Sequence, residues 1–280
     1  MSSTSRDVKS SIYFLSRDRL YETVKPYSLR FAPERIPQTN LKPEKHSVYI
    51  RDLREASKEE KIDFNSCGFG VLHMDSSLTY KDFFCRDIVE SIYYFEVEEM
   101  LKAVFNAKSV YVLDHALRIR HGQFPTSTGE NYDYEQPTSL AHVDFTRDSA
   151  RDASCQFLDL EAKSLLDASW KCVNVWKPLK GPVRDWPLAL CSVTSMDFEK
   201  DSIPGDVVSQ CGPIEDIHIH YNPTQKWYYL SDQEPSELLI FRSSDSEGNL
   251  GAPHASFPLP RSMSDETPRE SIDLRAFLFF

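Results

Sequence analysis

His142-Val143-Asp144 places an imidazole and a carboxylate one residue apart. Strand side chains alternate with period two, so the pair shares one face of an extended segment and can grip a single metal ion. A second histidine would complete a two-His-one-carboxylate face, the ligand set that leaves open positions on non-haem Fe(II) for substrate and oxygen. Three constellations compete for that role. One adds His254, within Ala252-Pro-His-Ala-Ser-Phe257, to His142 and Asp144. Another is His73-Met-Asp75, which follows Gly68-Phe-Gly70 and reads equally as a strand end or turn with a capping Asp. The third is His218-Ile-His220, two imidazoles on one strand face, whose plainer reading is a half-exposed strand.

The residues after His254 add chemistry. In Pro268-Arg-Glu-Ser-Ile-Asp-Leu-Arg-Ala-Phe277, Arg269, Ser271, Asp273 and Arg275 alternate onto one face of a terminal strand. Ile272, Leu274 and Ala276 take the other face, against apolar surroundings. An arginine and a hydroxyl on an inward face are costly to bury unless an anion meets them. A carboxylate does so well, because guanidinium offers it a paired fork of donors. The competing reading is a surface ladder in which Arg275 pairs with Asp273.

These residues need elements to hold them. Residues 1–45 are polar and proline-punctuated and read as an arm over a core, with short strands near Ile12–Leu15 and Val48–Arg51. Leu53–Glu60 has the mixed charge of a surface helix, and the apolar spacing from Thr79 to Phe105 predicts one long amphipathic helix or two short ones. Ser109–Arg120 alternates and is rich in β-branched residues, so it is a strand; the loop 122–136 follows, and its stretch Thr126–Tyr134 is a candidate lid. Asp148–Trp170 regains a helical pattern. Eight short strand-like runs then occupy 171–176, 188–193, 205–209, 214–221, 226–230, 238–242, 252–257 and 270–279, separated by turn residues. That texture predicts a mainly β fold with flanking helices, a barrel or jelly roll. We expect one domain over 1–280: an arm and supporting helices over 1–108, and a β core over 109–280 with a helical insert near 148–170.

Composition narrows the function. The 280 residues include 17 Phe, 13 Tyr and 4 Trp, enough for a large core. A net charge of −11 disfavours broad nucleic-acid binding and docking on anionic membranes. There is no apolar run of the roughly 20 residues a span needs, and no signal-peptide pattern at the N-terminus. Six scattered cysteines without a CxxC read as reduced core thiols of a cytoplasmic protein. The expected partner is a small molecule, with a homodimer left open.

HxD, a distal His, and Arg-x-Ser 15 residues beyond it (269 − 254 = 15) resemble the Fe(II)/2-oxoglutarate-dependent dioxygenases. A narrower resemblance covers most of 105–280. Asn174-Val-Trp-Lys-Pro-Leu, Gly181-Pro-Val, Pro187-Leu-Ala-Leu-Cys191, Trp227-Tyr-Tyr, Glu237-Leu-Leu-Ile-Phe241, Asp245-Ser246, Pro253-His-Ala-Ser-Phe257 and Arg269-Glu-Ser-Ile look like the fungal hydroxylase/desaturase family of gibberellin desaturases and AsaB-type enzymes. The chain departs from it at Cys191-Ser192, where relatives commonly carry Cys-Asp, and the His142–His254 separation (254 − 142 = 112) is long for the superfamily. We attribute that length to the helical insert.

The resemblance implies a double-stranded β-helix, the jelly roll of the cupin type. It implies iron on His142, Asp144 and His254, 2-oxoglutarate on Arg269 and Ser271, and O2 as oxidant. Arg275 would support the metal-site carboxylate, as the second arginine does in relatives with this spacing. The implied activity is hydroxylation or desaturation of a small molecule in fungal secondary metabolism. Epoxidation, ring closure or ring expansion are alternatives from the same site. A metal-free small-molecule-binding jelly roll is the alternative of another class, and a methyltransferase is disfavoured by the lack of a Gly-rich loop after a strand. Candidate substrate contacts are Arg118 and Arg120 on one strand face, Asn174 and Trp176 on another, and Tyr229.

Overall fold

The computed structural model describes residues 6–125, 132–157, 165–209, 212–260 and 267–280. Its strands are β1 (Val8–Leu15), β2 (Tyr27–Leu29), β3 (Pro43–Asp52), β4 (Phe69–His73), β5 (Ser109–Ile119), β6 (His142–Val143) and β7 (Trp170–Pro178). They continue with β8 (Leu188–Cys191), β9 (Ser202–Ser209), β10 (Gly212–Ile219), β11 (Trp227–Tyr229), β12 (Glu237–Asp245), β13 (His254–Ser256) and β14 (Glu270–Phe279). Among the described residues they form two sheets, in the orders β1-β3-β11-β8-β13-β6-β10-β9-β2 and β4-β12-β7-β14-β5. All eight strand-like runs after the insert become strands.

The sheets face each other, and period two decides what lies between them. Ile272, Leu274, Ala276 and Leu278 of β14 point outward, packing with Tyr93, Val97 and Leu101 of the helical layer. Trp176, Leu239 and Phe241 of the five-stranded sheet point inward, against Leu188, Leu190 and Tyr228 of the larger one. This is the double-stranded β-helix with flanking helices that the sequence suggests. The arm is structural: β1 pairs with β3 over eight positions, and β3 joins the large sheet through parallel pairing with β11.

Within the region 79–105 one continuous helical run occupies Arg86–Phe105, with a π-turn inside it. A 3-10 turn (Asp82–Phe84) leads through a short helical segment and a π-turn (Val89–Tyr93) into a helix over Tyr94–Phe105. Asn106 closes that helix in the left-handed conformation (φ 52°), donating its backbone N–H to Lys102. In the insert, a helix spans Arg147–Phe157 and buries Ala150 and Ala153; residues 158–164 lie outside the described residues. No helix among the described residues is long and apolar enough to cross a membrane.

Candidate metal centre

Sheet register explains how histidines 112 residues apart meet (254 − 142 = 112). His142 on β6 lies directly opposite His254 on β13, and opposite His218 on β10 on its other side. Directly paired residues of antiparallel strands present their side chains on one face. The His142 and His254 rings are 4.3 Å apart between centroids, and Asp144 follows on the same face as His142. Ligand atoms of His142, Asp144 and His254 all lie within 4.8 Å of one another. No other group of three or more such residues meets that test among the described residues. His73 is exposed at the end of β4.

Each potential ligand is aimed from behind. His142 Nδ1 donates to the Leu140 carbonyl at 2.8 Å, and His254 Nδ1 faces the Ala252 carbonyl at 3.4 Å. With Nδ1 turned to a backbone carbonyl, each ring points Nε2 into the cluster, the nitrogen a metal ligand would use. Phe241 packs its ring 4.6 Å from that of His254. Asn174 on β7 donates Nδ2 to Asp144 Oδ2 at 2.5 Å, and its own Oδ1 accepts from the Ser243 hydroxyl. Burial would raise Asp144, but the His142 hydrogen bond and the nearby positive charge of Arg275 hold it well below the usual carboxylate range. Desolvation, with His142 beside it, lowers His254 to about 3, which favours the neutral imidazole. The donor set therefore fits a divalent first-row metal.

A small inner cavity adjoins the cluster, lined among others by His254, Trp176, Phe241, Ser256 and Arg269. Arg269 is 4% exposed and has no ion pair among the described residues. Its Nη1 donates to Ser256 Oγ and the Trp186 carbonyl, its guanidinium lies 5.4 Å from the Trp176 ring centre, and Nε is left without a partner. Desolvation and the neighbouring Arg118 lower Arg269 to about 9, an unusual state for a guanidinium. Ser271, fully buried two residues on, also has an unpartnered hydroxyl. Orphaned buried donors cost about 1–3 kcal/mol each, which a bound carboxylate would remove. The fit to the distal carboxylate of a keto acid is chemical and direct.

Other sequence expectations need correcting. Asn174 is spent on Asp144 and Ser243, so it holds the carboxylate and does not read a substrate. Trp176 belongs to the Arg269 wall. Tyr229 is 3% exposed in the core beside Phe257, with its hydroxyl on the Arg6 carbonyl, because β11 turns that side chain away from the cluster. Arg120 pairs with Asp185, whose carboxylate also accepts the Arg269 backbone N–H; it braces the Arg269 turn and lines neither cavity described here. Arg118 does reach the inner cavity and also a larger one on the other side of His142 and Asp144, already engaged with Asp273 at 3.2 Å and Glu135 at 2.9 Å. Arg275 pairs through both nitrogens with Asp114 and acts on Asp144 by charge, without a hydrogen bond to it. The predicted ladder partner, Asp273, belongs instead to Arg118. His218 and His220 are themselves buried, on and just after a strand that is otherwise partly exposed; His220 donates Nδ1 to the Leu15 carbonyl. Most of the lid candidate, 126–131, lies outside the described residues, while Tyr134 packs edge-on against Phe84 at 6.0 Å.

Sequence reasoning missed Ser256 and Ser243. Ser256 was within reach, since it sits two residues after His254 and shares its face. Ser243 meets Asn174 across the β12–β7 pairing, which no local pattern announces.

A family model described as oxidoreductase/YMDC permease-like domain matches residues 12–279. The chain is 28% identical over 240 residues to the alpha-ketoglutarate-dependent dioxygenase tstK of Talaromyces stipitatus, covering 84% of this chain and 85% of that protein. It is 29% identical over 259 residues to the Fe(II)/2-oxoglutarate-dependent dioxygenase nvfI of Aspergillus novofumigatus, covering 86% of each. The hydroxylase/desaturase CTB9 of Cercospora beticola is 29% identical over 253 residues, covering 82% and 76%. A solved structure of the iron and alpha-ketoglutarate-dependent endoperoxidase NvfI superposes with a TM-score of 0.82 at 26% identity, covering 99% of both chains.

Proposed function

From the premise that this chain belongs to the oxidoreductase/YMDC permease-like domain family, we propose that it hydroxylates or desaturates a small molecule in fungal secondary metabolism, with His142, Asp144 and His254 holding its iron. The chain is an Fe(II)/2-oxoglutarate-dependent dioxygenase of the fungal hydroxylase/desaturase kind. The observation that carries our assignment of residues is the meeting of three potential ligands beside a buried arginine that lacks an ion pair.

When bound, iron, 2-oxoglutarate and O2 supply the oxidising power for an unactivated C–H bond, with succinate and CO2 as cosubstrate products. The chain's own residues position and insulate. His142, Asp144 and His254 hold the metal; the Leu140 and Ala252 carbonyls and Asn174 fix the orientation of those three side chains. Arg269 and Ser271 take the distal carboxylate, with Ser256 and the Trp186 carbonyl anchoring the guanidinium. Arg118 stands at the junction of the two cavities, where cosubstrate ends and substrate begins. No further acid or base is required, because C–H oxidation asks of the protein chiefly placement and exclusion of water.

We read 1–280 as one catalytic domain, since β1 and β3 of the arm extend the sheet that carries His142 and His254. We assign it to the cytoplasm, a reading supported by five free cysteines among the described residues. A homodimer remains part of this reading. A different oxidative outcome from the same site is favoured by one observation, the similarity to a protein named endoperoxidase. Metal analysis tests the assignment. His254→Ala should lose iron on gel filtration while the parent retains about one equivalent, and normal retention would refute the ligand set.

A further inference from the structure

A cavity of about 570 Å³ opens on the other side of His142 and Asp144. Charged side chains line it, and most are already matched. Arg275 is engaged by Asp114, and Arg118 by Asp273 and Glu135. Asp216 is the exception. It lines the cavity with a side chain 10% exposed, and no arginine or lysine among the described residues lies within ion-pairing distance. The remaining lining cation, Arg30, is exposed.

Asp216 sits with His218 on β10, and both side chains lie over Gly205 of the neighbouring strand. A Cβ at Gly205 would come within 2.6 Å of the His218 ring and 3.1 Å of Asp216 Oδ1, so glycine makes the room they occupy. His218 Nε2 lies 3.4 Å from Asp216 Oδ1 without forming a hydrogen bond to it. Asp216 Oδ1 and His218 Nδ1 are both buried without hydrogen-bond partners among the described residues. Asp216 thus keeps a buried oxygen that no donor among the described residues reaches. A buried carboxylate in that condition costs stability until a donor reaches it.

We propose that Asp216, backed by His218, receives a hydrogen-bond-donating group of the substrate, a hydroxyl or an ammonium, and so orients the molecule in front of the metal face. This rests on the iron-site reading above, because that reading makes the cavity the substrate's. It defines a substrate class: a compact molecule carrying a donor group at the end held by β10. An ether or carboxylate there would meet unpaired acceptors and be rejected, since missing or mismatched hydrogen bonds discriminate strongly in buried sites.

The test uses the full chain with Fe(II) and 2-oxoglutarate under argon. Four probes share one rigid cage: 1-adamantanol, 1-adamantylammonium, 1-methoxyadamantane and 1-adamantanecarboxylate. Calorimetric titration should show the alcohol and the ammonium binding about tenfold or more tighter than the ether and the carboxylate. Asp216→Ala should abolish that preference, and the isosteric Asp216→Asn should abolish it for the ammonium. Equal binding of alcohol and ether, no saturable binding of either donor probe, or a preference that survives in the Asp216 variants would overturn the proposal. The visible absorption of the iron–2-oxoglutarate complex, recorded on the same samples, reports separately on the iron-site reading.

Discussion

Asn174 shows what a single side chain does for a metal ligand that lies on another strand. Its amide donates to Asp144 Oδ2 and accepts from Ser243, so both ends are fixed and the carboxylate has one orientation. Removing such a partner typically costs about 10–100-fold in metal affinity. Asn174→Ala should therefore weaken iron binding by roughly that factor in a competitive chelator titration, and unchanged affinity would remove the amide from the site. Arg269→Ala should leave iron bound and raise the half-saturating 2-oxoglutarate concentration about 30-fold or more, since a charged hydrogen bond in a buried site is worth about 2 kcal/mol. Tyr229→Phe, by contrast, should leave that concentration unaltered and lower the unfolding free energy by about 1 kcal/mol, from loss of the bond to Arg6. The clustering of His142, Asp144 and His254 and the shared face of Arg269 and Ser271 were legible in the sequence because period two gives their facing. Asn174 and Tyr229 were misread because a sequence shows that a polar or aromatic residue is on a strand, but not which atom it meets.

At the scale of elements, register does the assembling. β6 is only two residues long, yet it sits between β13 and β10 and so sets three histidines in a row. Strand existence was readable from alternation and turn residues, and the eight late runs all became strands. The pairing of segments more than a hundred residues apart was not readable, because nothing local encodes a non-local partner. That is why His218 looked like a rival metal ligand when it is the neighbouring rung. Gly251 is where this assembly is tightest. A Cβ there would lie 2.1 Å from the Ser243 carbonyl oxygen and 2.4 Å from Val143 Cγ1, so only glycine lets the chain pass between β12 and β6. Gly251→Ala should destabilise the fold by about 1–3 kcal/mol through overpacking and, by pushing on Ser243, weaken iron binding as well. Denaturant unfolding and metal titration on the same variant check both; a stable variant with native iron affinity would contradict this picture.

For the whole molecule, two facing sheets keep chemistry inside and helices outside. Lys177 lies on the boundary, buried on the outward face of β7 beneath the Phe83 and Tyr93 rings. Burial brings it down to about 8, with Glu96 and Asp75 opposing. The folded chain thus releases this proton near pH 8 and the unfolded chain near 10.5, so the unfolded state binds more protons between those values and stability rises with pH across that window. Below pH 8 the charged group is a standing cost. The stability advantage of Lys177→Met over the parent should accordingly shrink as pH rises from 8 to 10.5, and a constant difference would place Lys177 outside this account. Periodicity in the sequence marked both faces of β14 correctly, yet a buried lysine on the helix-facing side of β7 gave no local sign.

The most direct measurement concerns the three ligands and the arginine together. Fe(II) added anaerobically to the metal-free chain, followed by 2-oxoglutarate, should produce the visible metal-to-ligand charge-transfer band of a chelated keto acid. His254→Ala should show no band at any concentration, and Arg269→Ala should recover it only at raised 2-oxoglutarate. Intact, folded protein that gives no band, or a band that persists unchanged in His254→Ala, would contradict the iron site described here.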